Sequence, residues 1–194
     1  MGKLTVILGG ARSGKSTLAE QMAARRGDQV LYIATAEPDD AEMAARITRH
    51  QQQRPQSWRT LETPCKIGEA VQLDRPEEDI ILLDCLTLLV SNVILTACGD
   101  IDEPDEEAAR RAVESEITGL LAAIQDSQAS WILVSNEVGL GLVPPYPLGR
   151  VYRDLLGWAN RQFNHAADEI FFLIAGRVLP LHQLGQDLEN YTES

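Results

Sequence analysis

Short apolar runs alternate with polar, helix-forming segments along this chain. Residues 4–8, LTVIL, form a β-branched run that ends at Gly9-Gly10, and residues 15–26, KSTLAEQMAARR, are good helix formers followed by Gly27. This pattern predicts a buried strand, a turn and a helix. Further runs predict strands at 29–35, 80–84, 130–135 and 169–176. The run at 80–84 is apolar on both faces, as is typical inside a parallel sheet.

Helices are predicted between these strands. Asp39 can cap a helix that extends to His50, because Glu42 stands three positions later in a capping-box-like arrangement. A further helix is predicted over 150–166. An amphipathic helix before the fourth strand has one apolar stripe, formed by Ala109, Val113, Ile117, Leu120 and Ile124. Strands that alternate with helices predict a doubly wound α/β fold with a mostly parallel sheet. We expect one domain over residues 1–194, frayed after about residue 187.

Composition narrows the class of protein. The chain has 194 residues and a net charge of −12, and its acidic pI argues against general binding to nucleic acid or to anionic membranes. No apolar run is long enough to span a membrane, and the first residues lack the features of a signal peptide. Cys65, Cys85 and Cys98 are scattered without a CxxC pair, which favours reduced thiols. We therefore expect a cytoplasmic protein.

The stretch GGARSGKS contains the pattern G-x-x-x-x-G-K-[ST], formed by Gly9, Gly14, Lys15 and Ser16. The glycines let backbone N–H groups surround phosphate oxygens, and the helix that follows adds the positive end of its dipole. Lys15 is expected to reach the β and γ phosphates, and Ser16 to offer its hydroxyl to Mg²⁺. A glycine-rich turn with a surface lysine is the alternative. The position between a predicted strand and a predicted helix favours a nucleoside triphosphate site.

Acidic residues follow two of the predicted strands. A phosphate loop needs a carboxylate at the end of a neighbouring strand to hold the metal, usually through water, and Asp84 is the candidate. The alternative for Asp84 is a helix cap or a loop residue. Glu137 follows the strand at 130–135 and could orient a substrate hydroxyl or a water, but an ordinary loop glutamate fits equally well.

A basic island interrupts the acidic chain, because residues 43–61 contain no carboxylate. Arg46, Arg49, His50 and Arg54 lie within it. Solvated arginines around a histidine at a helix end would explain the island. Segments between strands can also reach the ligand crevice of a doubly wound sheet, where a neutral imidazole can attack phosphorus beside guanidinium groups. Zinc is a poor alternative, because His50, His165 and His182 lack ligand spacing.

The chain resembles a known family in several motifs that occur in the same order. They are GGARSGKS, LYIATA, DDAEMAARITRHQQQRP, WRTLE, LLDCLTLLVSN, VSNEVGLGLVP and LGRVYRDLLGWAN, within about residues 4–176. In these motifs the sequence is similar to bifunctional adenosylcobinamide kinase/adenosylcobinamide-phosphate guanylyltransferase. The resemblance implies a RecA-like P-loop fold, a homotrimer, and two reactions with adenosylcobinamide and its phosphate. One transfers the γ-phosphate of ATP or GTP, and the other transfers GMP from GTP and releases pyrophosphate.

The resemblance also implies roles for individual residues. His50, in H-x-x-x-R-P, matches the histidine that carries GMP. From the chemistry of the basic island, rather than from the resemblance, we expect Arg46, Arg49 and Arg54 to neutralise phosphate charge. Glu62 is suited to reading guanine, because it can accept hydrogen bonds from N1–H and the exocyclic amine. The full set of expected nucleotide contacts is Gly9, Gly10, Ala11, Arg12, Ser13, Gly14, Lys15, Ser16, Ala34, Thr35, Ala36, Gln51, Gln52, Gln53, Arg54, Glu62 and Asp84, with Ser16 and Asp84 also at Mg²⁺.

Two other functions are compatible with a phosphate loop. One is a P-loop kinase of another small metabolite, with no covalent intermediate. The other is a RecA-like regulatory or motor NTPase, which needs a basic surface for nucleic acid that the net charge of −12 opposes.

Overall fold

The structure, a computed structural model, describes residues 2–36, 48 and 54–185. Its strands, in chain order, are β1 Leu4–Gly9, β2 Val30–Ala34, β3 Arg59–Glu62, β4 Ile80–Asp84, β5 Ser130–Val134, β6 Glu169–Ile174 and β7 Arg177–Pro180. Its helices are α1 Lys15–Arg26, α2 Ile67–Asp74, α3 Leu86–Ala97, α4 Glu106–Asp126, α5 Pro147–Ala166 and α6 Leu181–Leu184.

The seven strands form one sheet in the order β3-β2-β4-β5-β1-β6-β7. All neighbouring pairs are parallel except β6 and β7, which are antiparallel. Parallel strands end at the same edge of the sheet, so the segments that follow β1, β2, β3, β4 and β5 lie along one edge, called here the carboxyl edge. This is the edge at which ligands bind in open α/β sheets.

Helices cover both faces of the sheet, which explains why its central strands β1, β2, β4 and β5 are mostly apolar and buried. Residues of β1 alternate between the faces: Leu4, Val6 and Leu8 pack into the core formed with α2, α3, α4 and α5, whereas Ile7 packs towards α1. On that face, Ala19 and Ala23 of α1 pack against the sheet and have no exposed surface. The predicted doubly wound, mostly parallel fold is confirmed.

The five strands predicted from apolar runs are confirmed, with shifts of one or two residues at their ends. The last long helix begins at Pro147, three residues earlier than predicted, because proline suits the first turn of a helix. β3, β7, α2, α3 and α6 were not predicted. The run LTLLVSNVILTA of α3 is too uniformly apolar to show a helical period, and β3 and β7 are short. The helix predicted from Asp39 to His50 lies outside the described residues.

The backbones of α2 and α4 come unusually close together at Gly68 and Gly119. A Cβ on Gly68 would lie 2.6 Å from the carbonyl oxygen of Gly119, whereas a Cβ on Gly119 would have no heavy atom within 4 Å. The α4 carboxylate of Glu116 also accepts hydrogen bonds from the backbone N–H groups of Lys66 and Ile67, at 2.8 and 2.9 Å. These bonds satisfy donors at the start of α2 and fix it against α4.

Alanine is therefore expected to have opposite effects at these two glycines. Gly68→Ala should lower the free energy of unfolding by about 1–3 kcal/mol, because the added carbon meets backbone that must move. Gly119→Ala should raise it by about 0.5–1 kcal/mol, because alanine is the better helix former and the site is open. Urea unfolding of both variants measures the difference. A Gly68→Ala protein as stable as Gly119→Ala would contradict the close approach of the helices.

Candidate nucleotide-binding site

The phosphate loop connects β1 to α1 in a conformation that requires glycine. Gly9 has φ 153° and Gly14 has φ 99°, values that side chains rarely adopt. A Cβ on Gly9 would also lie 2.4 Å from the carbonyl oxygen of Leu173 in β6. A Cβ on Gly10 would meet no atom within 4 Å, so the loop faces open space there. Because α1 begins at Lys15, directly after Gly14, the loop ends at the N-terminus of this helix. Backbone N–H groups at a helix N-terminus attract anions.

Lys15 is held within the loop rather than extended into solvent. The residue is 8% exposed, and its Nζ donates to the carbonyl oxygen of Gly10 at 2.6 Å. The Nζ also lies 3.5 Å from Ser13 Oγ. A buried ammonium group at the start of α1, where the helix dipole has its positive end, gives a concentrated positive site that suits the phosphates of a nucleotide.

The register of the sheet places three of the predicted contacts side by side. Ala34, at the end of β2, is aligned with Glu62 of β3 on one side and with Asp84 of β4 on the other. Thr35 and Ala36 follow Ala34 at the same carboxyl edge. The sequence suggested that Asp84 lies on a strand next to the phosphate-loop strand. In the sheet, however, strand β5 separates β4 from β1. Asp84 lies two strands, about 10 Å, from β1.

Four side chains meet on the α1 side of the carboxyl edge: Glu20, Tyr32, Arg54 and Asp84. The hydroxyl of Tyr32 donates to Asp84 Oδ2 at 3.0 Å. The guanidinium carbon of Arg54 lies 3.2 Å from the centroid of the Tyr32 ring, a cation–π contact. Arg54 Nε is 4.0 Å from Glu20 Oε1. The cluster thus joins α1, β2, β4 and the segment that precedes β3.

Burial sets the electrostatics of this cluster. It raises the pKa of Glu20, assisted by the negative charge of Asp84 and opposed by Arg54. Burial and Asp84 together hold the pKa of Tyr32 far above its usual value, so its hydroxyl keeps the proton that it donates. Within the described residues, Arg54 Nε, Arg54 Nη1 and Glu20 Oε1 are buried without hydrogen-bond partners. Buried guanidinium donors without acceptors are costly, which marks Arg54 as a group suited to an anionic ligand.

A second set of hydrogen bonds fixes the ends of β2, β3 and β4. The Thr35 hydroxyl donates to the carbonyl oxygen of Cys85 and accepts from the Cys85 N–H, both at 2.9 Å. Asn92 of α3 donates to the carbonyl oxygens of Thr35 and Pro64. The Thr35 side chain is therefore used inside the protein. Burial and the charge of Asp84 raise the pKa of the Cys85 thiol to about 11, so it stays protonated at neutral pH and is a poor nucleophile.

The candidate Glu137 and a further residue, Arg59, have structural contacts. The Glu137 carboxylate accepts from the N–H of Gly139 at 2.7 Å, while its own N–H donates to the carbonyl oxygen of Gly9 at 3.2 Å. It shapes the loop beside the phosphate loop. Arg59, in the carboxylate-free window, forms ion pairs with Glu78 and Asp74, and its hydrogen bonds to these two carboxylates raise its pKa. Arg59 therefore belongs to a surface ion-pair group at the other end of β3.

The central part of the basic island lies outside the described residues, including Arg46, Arg49, His50, Gln51, Gln52 and Gln53. The structure does locate the other two histidines. His165 is in the last turn of α5, which leads to the start of β6. His182 Nδ1 lies 3.1 Å from the backbone nitrogen of Ile170, the second residue of β6. Both therefore lie towards the edge of the sheet opposite the phosphate loop.

Sequence reasoning missed Glu20, Tyr32 and Asn92 as parts of this site. Tyr32 looked like an ordinary strand residue, and Glu20 like one of several polar residues of α1. A polar residue at a buried strand position was the available signal for Tyr32. For Glu20 no local signal existed.

In the described part of the chain, no group of three or more His, Cys, Asp or Glu side chains could hold a metal ion. No helix there is both long and apolar enough to cross a membrane.

Two solved structures with a similar fold are ATPases. The chain is similar to the assembled ATPase EscN, in complex with its central stalk EscO, from the type III secretion system of enteropathogenic E. coli. The TM-score is 0.55 at 14% identity, over 89% of this chain and 42% of that chain. A prototypical ATPase from the type III secretion system of pathogenic bacteria gives a TM-score of 0.50 at 14% identity, over 97% of this chain and 60% of that chain. At this identity the likeness concerns the fold alone, and it confirms the predicted RecA-like P-loop class.

Other proteins share a much higher sequence identity with this chain. The chain is 43% identical over 178 residues to the bifunctional adenosylcobalamin biosynthesis protein CobU of Escherichia coli (strain K12), covering 89% of this chain and 96% of that protein. It is 40% identical over 176 residues to the bifunctional adenosylcobalamin biosynthesis protein CobP of Pseudomonas aeruginosa, covering 91% and 95%. The family model described as cobinamide kinase / cobinamide phosphate guanyltransferase matches residues 5–181. The chain therefore belongs to the cobinamide kinase / cobinamide phosphate guanyltransferase family.

Proposed function

We propose that this protein phosphorylates adenosylcobinamide with ATP or GTP and then transfers GMP from GTP to adenosylcobinamide phosphate. One observation carries the proposal. In a chain of this family, the carboxyl edge of the sheet brings together a phosphate loop with a buried lysine, the strand-end carboxylate of Asp84 and the buried guanidinium of Arg54. These groups suit the binding of a nucleotide and the stabilisation of charge during transfer at phosphorus.

In the first reaction, the hydroxyl oxygen of the aminopropanol arm of adenosylcobinamide attacks the γ-phosphorus. The bond between that phosphorus and the β,γ-bridging oxygen breaks, and the nucleoside diphosphate leaves. Lys15 and the N–H groups of the loop from Gly9 to Ser16 hold the phosphates, and they neutralise negative charge that shifts towards the leaving group. The hydroxyl proton passes to solvent or to a nearby base.

In the second reaction, a neutral ring nitrogen of His50 attacks the α-phosphorus of GTP, and pyrophosphate leaves. A phosphate oxygen of adenosylcobinamide phosphate then attacks the same phosphorus, breaks its bond to nitrogen and gives adenosylcobinamide-GDP. Arg54 supports this assignment, because it lies four residues after His50, a length of chain that spans at most about 14 Å. We propose that Arg46, Arg49 and Arg54 neutralise the phosphate oxygens.

Magnesium fits the groups at this edge. Mg²⁺ prefers oxygen ligands and is usually held by one or two protein groups together with substrate phosphates and water. Ser16, in the first turn of α1, and Asp84 offer a hydroxyl and a carboxylate. Glu20 and Asp84 place two carboxyl groups beside the single guanidinium of Arg54, an arrangement that favours a nearby cation. Bound Mg²⁺ would neutralise charge on the phosphates; the protein groups hold and orient the nucleotide.

The remaining nucleotide contacts are proposals of the same kind. Glu62 is exposed at the end of β3 and aligned with Ala34, a position that supports its proposed role as the reader of guanine. Ala34, Thr35 and Ala36 would contribute backbone groups, because the Thr35 hydroxyl already bonds Cys85. Gln51, Gln52 and Gln53 complete the proposed set.

We also propose a homo-oligomer, a trimer by family resemblance, that does not bind nucleic acid and acts in the cytoplasm. Exposed apolar side chains on the loop after β5 support an oligomer or a large apolar substrate, since monomers rarely leave such groups uncovered together. They are Leu140, Leu142 and Val143, exposed by 82, 97 and 63%. Cys65, Cys85 and Cys98 form no disulfide with one another, which fits a reducing compartment.

A direct assay tests the proposed function. The purified protein is incubated with adenosylcobinamide, GTP and Mg²⁺, and the corrinoid products are separated by chromatography and identified by mass. We expect adenosylcobinamide phosphate first and adenosylcobinamide-GDP later, with one pyrophosphate released for each GMP transferred. Hydrolysis of GTP without change in the corrinoid would contradict the proposal and favour a simple NTPase.

A further inference from the structure

Tyr32 is a buried side chain that contacts two residues of the proposed site. It is 2% exposed, and its strand β2 lies between β3 and β4, so the backbone holds it firmly. Its hydroxyl donates to Asp84 Oδ2, and its ring lies against the Arg54 guanidinium. One rigid side chain therefore touches both the carboxylate proposed for Mg²⁺ and the arginine that follows the proposed nucleophile.

We propose that Tyr32 is a positioning residue shared by the two reactions, with its hydroxyl orienting the Asp84 carboxylate and its ring supporting the Arg54 guanidinium. The inference rests on the proposed roles of Asp84 and Arg54. A carboxylate on a short side chain can rotate, and a hydrogen bond to one oxygen from a fixed donor removes that freedom. Asp84 then presents its other oxygen, Oδ1, towards a ligand in a fixed direction.

The ring contact serves Arg54 in a different way. The Arg54 side chain is 8% exposed, and within the described residues its Nε and Nη1 have no hydrogen-bond partner. Glu20 Oε1, the carboxylate oxygen that pairs with Arg54 in the described part of the chain, is 4.0 Å from Nε, too far for a hydrogen bond. Contact through the ring face holds the guanidinium without using its N–H groups, which lie in the guanidinium plane. Those donors remain for the phosphate oxygens of a nucleotide.

Removal of the hydroxyl alone tests the first part. In Tyr32→Phe, the Mg²⁺ concentration that half-saturates binding of a fluorescent GTP analogue should rise about tenfold, since a hydrogen bond to a charged group is lost. Binding of the analogue in EDTA should stay unchanged. Tyr152→Phe is the matched control. It removes a partly buried tyrosine hydroxyl that lies 3.5 Å from the carbonyl oxygen of Thr87, and Tyr152 packs on the face of the sheet opposite to Tyr32. A wild-type Mg²⁺ response of Tyr32→Phe would overturn the proposal.

Removal of the ring tests the second part. Methionine fills space flexibly but offers no ring face, so Tyr32→Met should label with α-³²P-GTP about tenfold more slowly than Tyr32→Phe at saturating Mg²⁺ and GTP. The loss should not add to that of Arg54→Met, because both changes remove the same contact. Equal labelling rates for Tyr32→Met and Tyr32→Phe would overturn the proposed role of the ring. Rate losses of Tyr32→Met and Arg54→Met that add fully in the double variant would overturn it as well. Should Tyr32→Met fail to fold, the Mg²⁺ response of Tyr32→Phe decides alone.

Failure of the proposed function gives a different result. Binding of the GTP analogue requires neither reaction, so the Mg²⁺ titration can be read even if the wild-type protein transfers no phosphate and no GMP. Asp84→Asn separates the two further: a wild-type Mg²⁺ response in that variant removes Asp84 from the metal site, which contradicts the proposed role of Asp84 on which the inference rests. A raised Mg²⁺ requirement in Asp84→Asn but not in Tyr32→Phe contradicts only the role of Tyr32.

Discussion

Alanine in place of His50 is expected to remove all covalent GMP labelling of the protein. The proposed intermediate is a phosphoramidate, so wild-type protein incubated with α-³²P-GTP and Mg²⁺ should retain label that is stable in alkali and labile in acid. The Cys85 thiol is a poor alternative nucleophile at this edge, because burial raises its pKa to about 11. The structure places His165 and His182 towards the opposite edge of the sheet, which leaves His50 as the candidate among the three histidines.

The matched control for this prediction is His165→Ala, which removes an imidazole distant from the phosphate loop and should label like the wild-type protein. Both variants should bind GTP with wild-type affinity, because the phosphate loop is unchanged. Full labelling of His50→Ala would remove His50 from the role of nucleophile. The kinase reaction with adenosylcobinamide should continue in His50→Ala, which shows that the substitution removes guanylyl transfer alone; a kinase without guanylyl transfer would show no GMP labelling even in the wild-type protein.

Replacement of Lys15 by alanine should abolish phosphorylation of adenosylcobinamide, with a fall in kcat of at least about a hundredfold. The Lys15 ammonium is buried and bonded to the carbonyl oxygen of Gly10, so it is already positioned within the phosphate loop. Its removal takes away the charge that stabilises the transferring phosphoryl group, while the glycines that shape the loop remain. Single-turnover transfer from γ-³²P-ATP measures the effect.

Lys66→Ala is a suitable control, because the Lys66 side chain is 75% exposed and its contact with Glu69 is a 3.9 Å surface pair. It should phosphorylate adenosylcobinamide at the wild-type rate. Normal turnover by Lys15→Ala would contradict the phosphate-loop assignment. Labelling of Lys15→Ala with α-³²P-GTP adds a further answer: loss of this labelling as well indicates one nucleotide site for both reactions, and retention indicates two.

The motor alternative is weakened by the same observations. The likeness to secretion ATPases concerns the fold alone at 14% identity, whereas the family model spans residues 5–181. Fold likeness does not define function, because one fold supports many activities. The chemistry at the carboxyl edge and the family membership, rather than the RecA-like sheet, are what support the transferase.

Much of the fold could be predicted from local patterns. The apolar run at 80–84 identified a buried parallel strand, and the pattern from Gly9 to Ser16 identified the phosphate loop, because glycine positions and strand periodicity are encoded within a few residues. The strands β3 and β7 could not be predicted. Each is four residues long and mostly exposed, so its conformation depends on pairing with a strand that is distant in the chain or on the turn beside it.

The sequence by itself determined the phosphate loop, the doubly wound class and, through its ordered motifs, the family; His50 as nucleophile remains a prediction from sequence. Only the tertiary structure decided that Glu20, Tyr32, Arg54 and Asp84 meet, and that Arg59 and Glu137 have structural contacts. The reason is physical. A loop or helix is specified by neighbours in the chain, but a cluster drawn from four separate segments depends on strand order and register, which no local pattern contains.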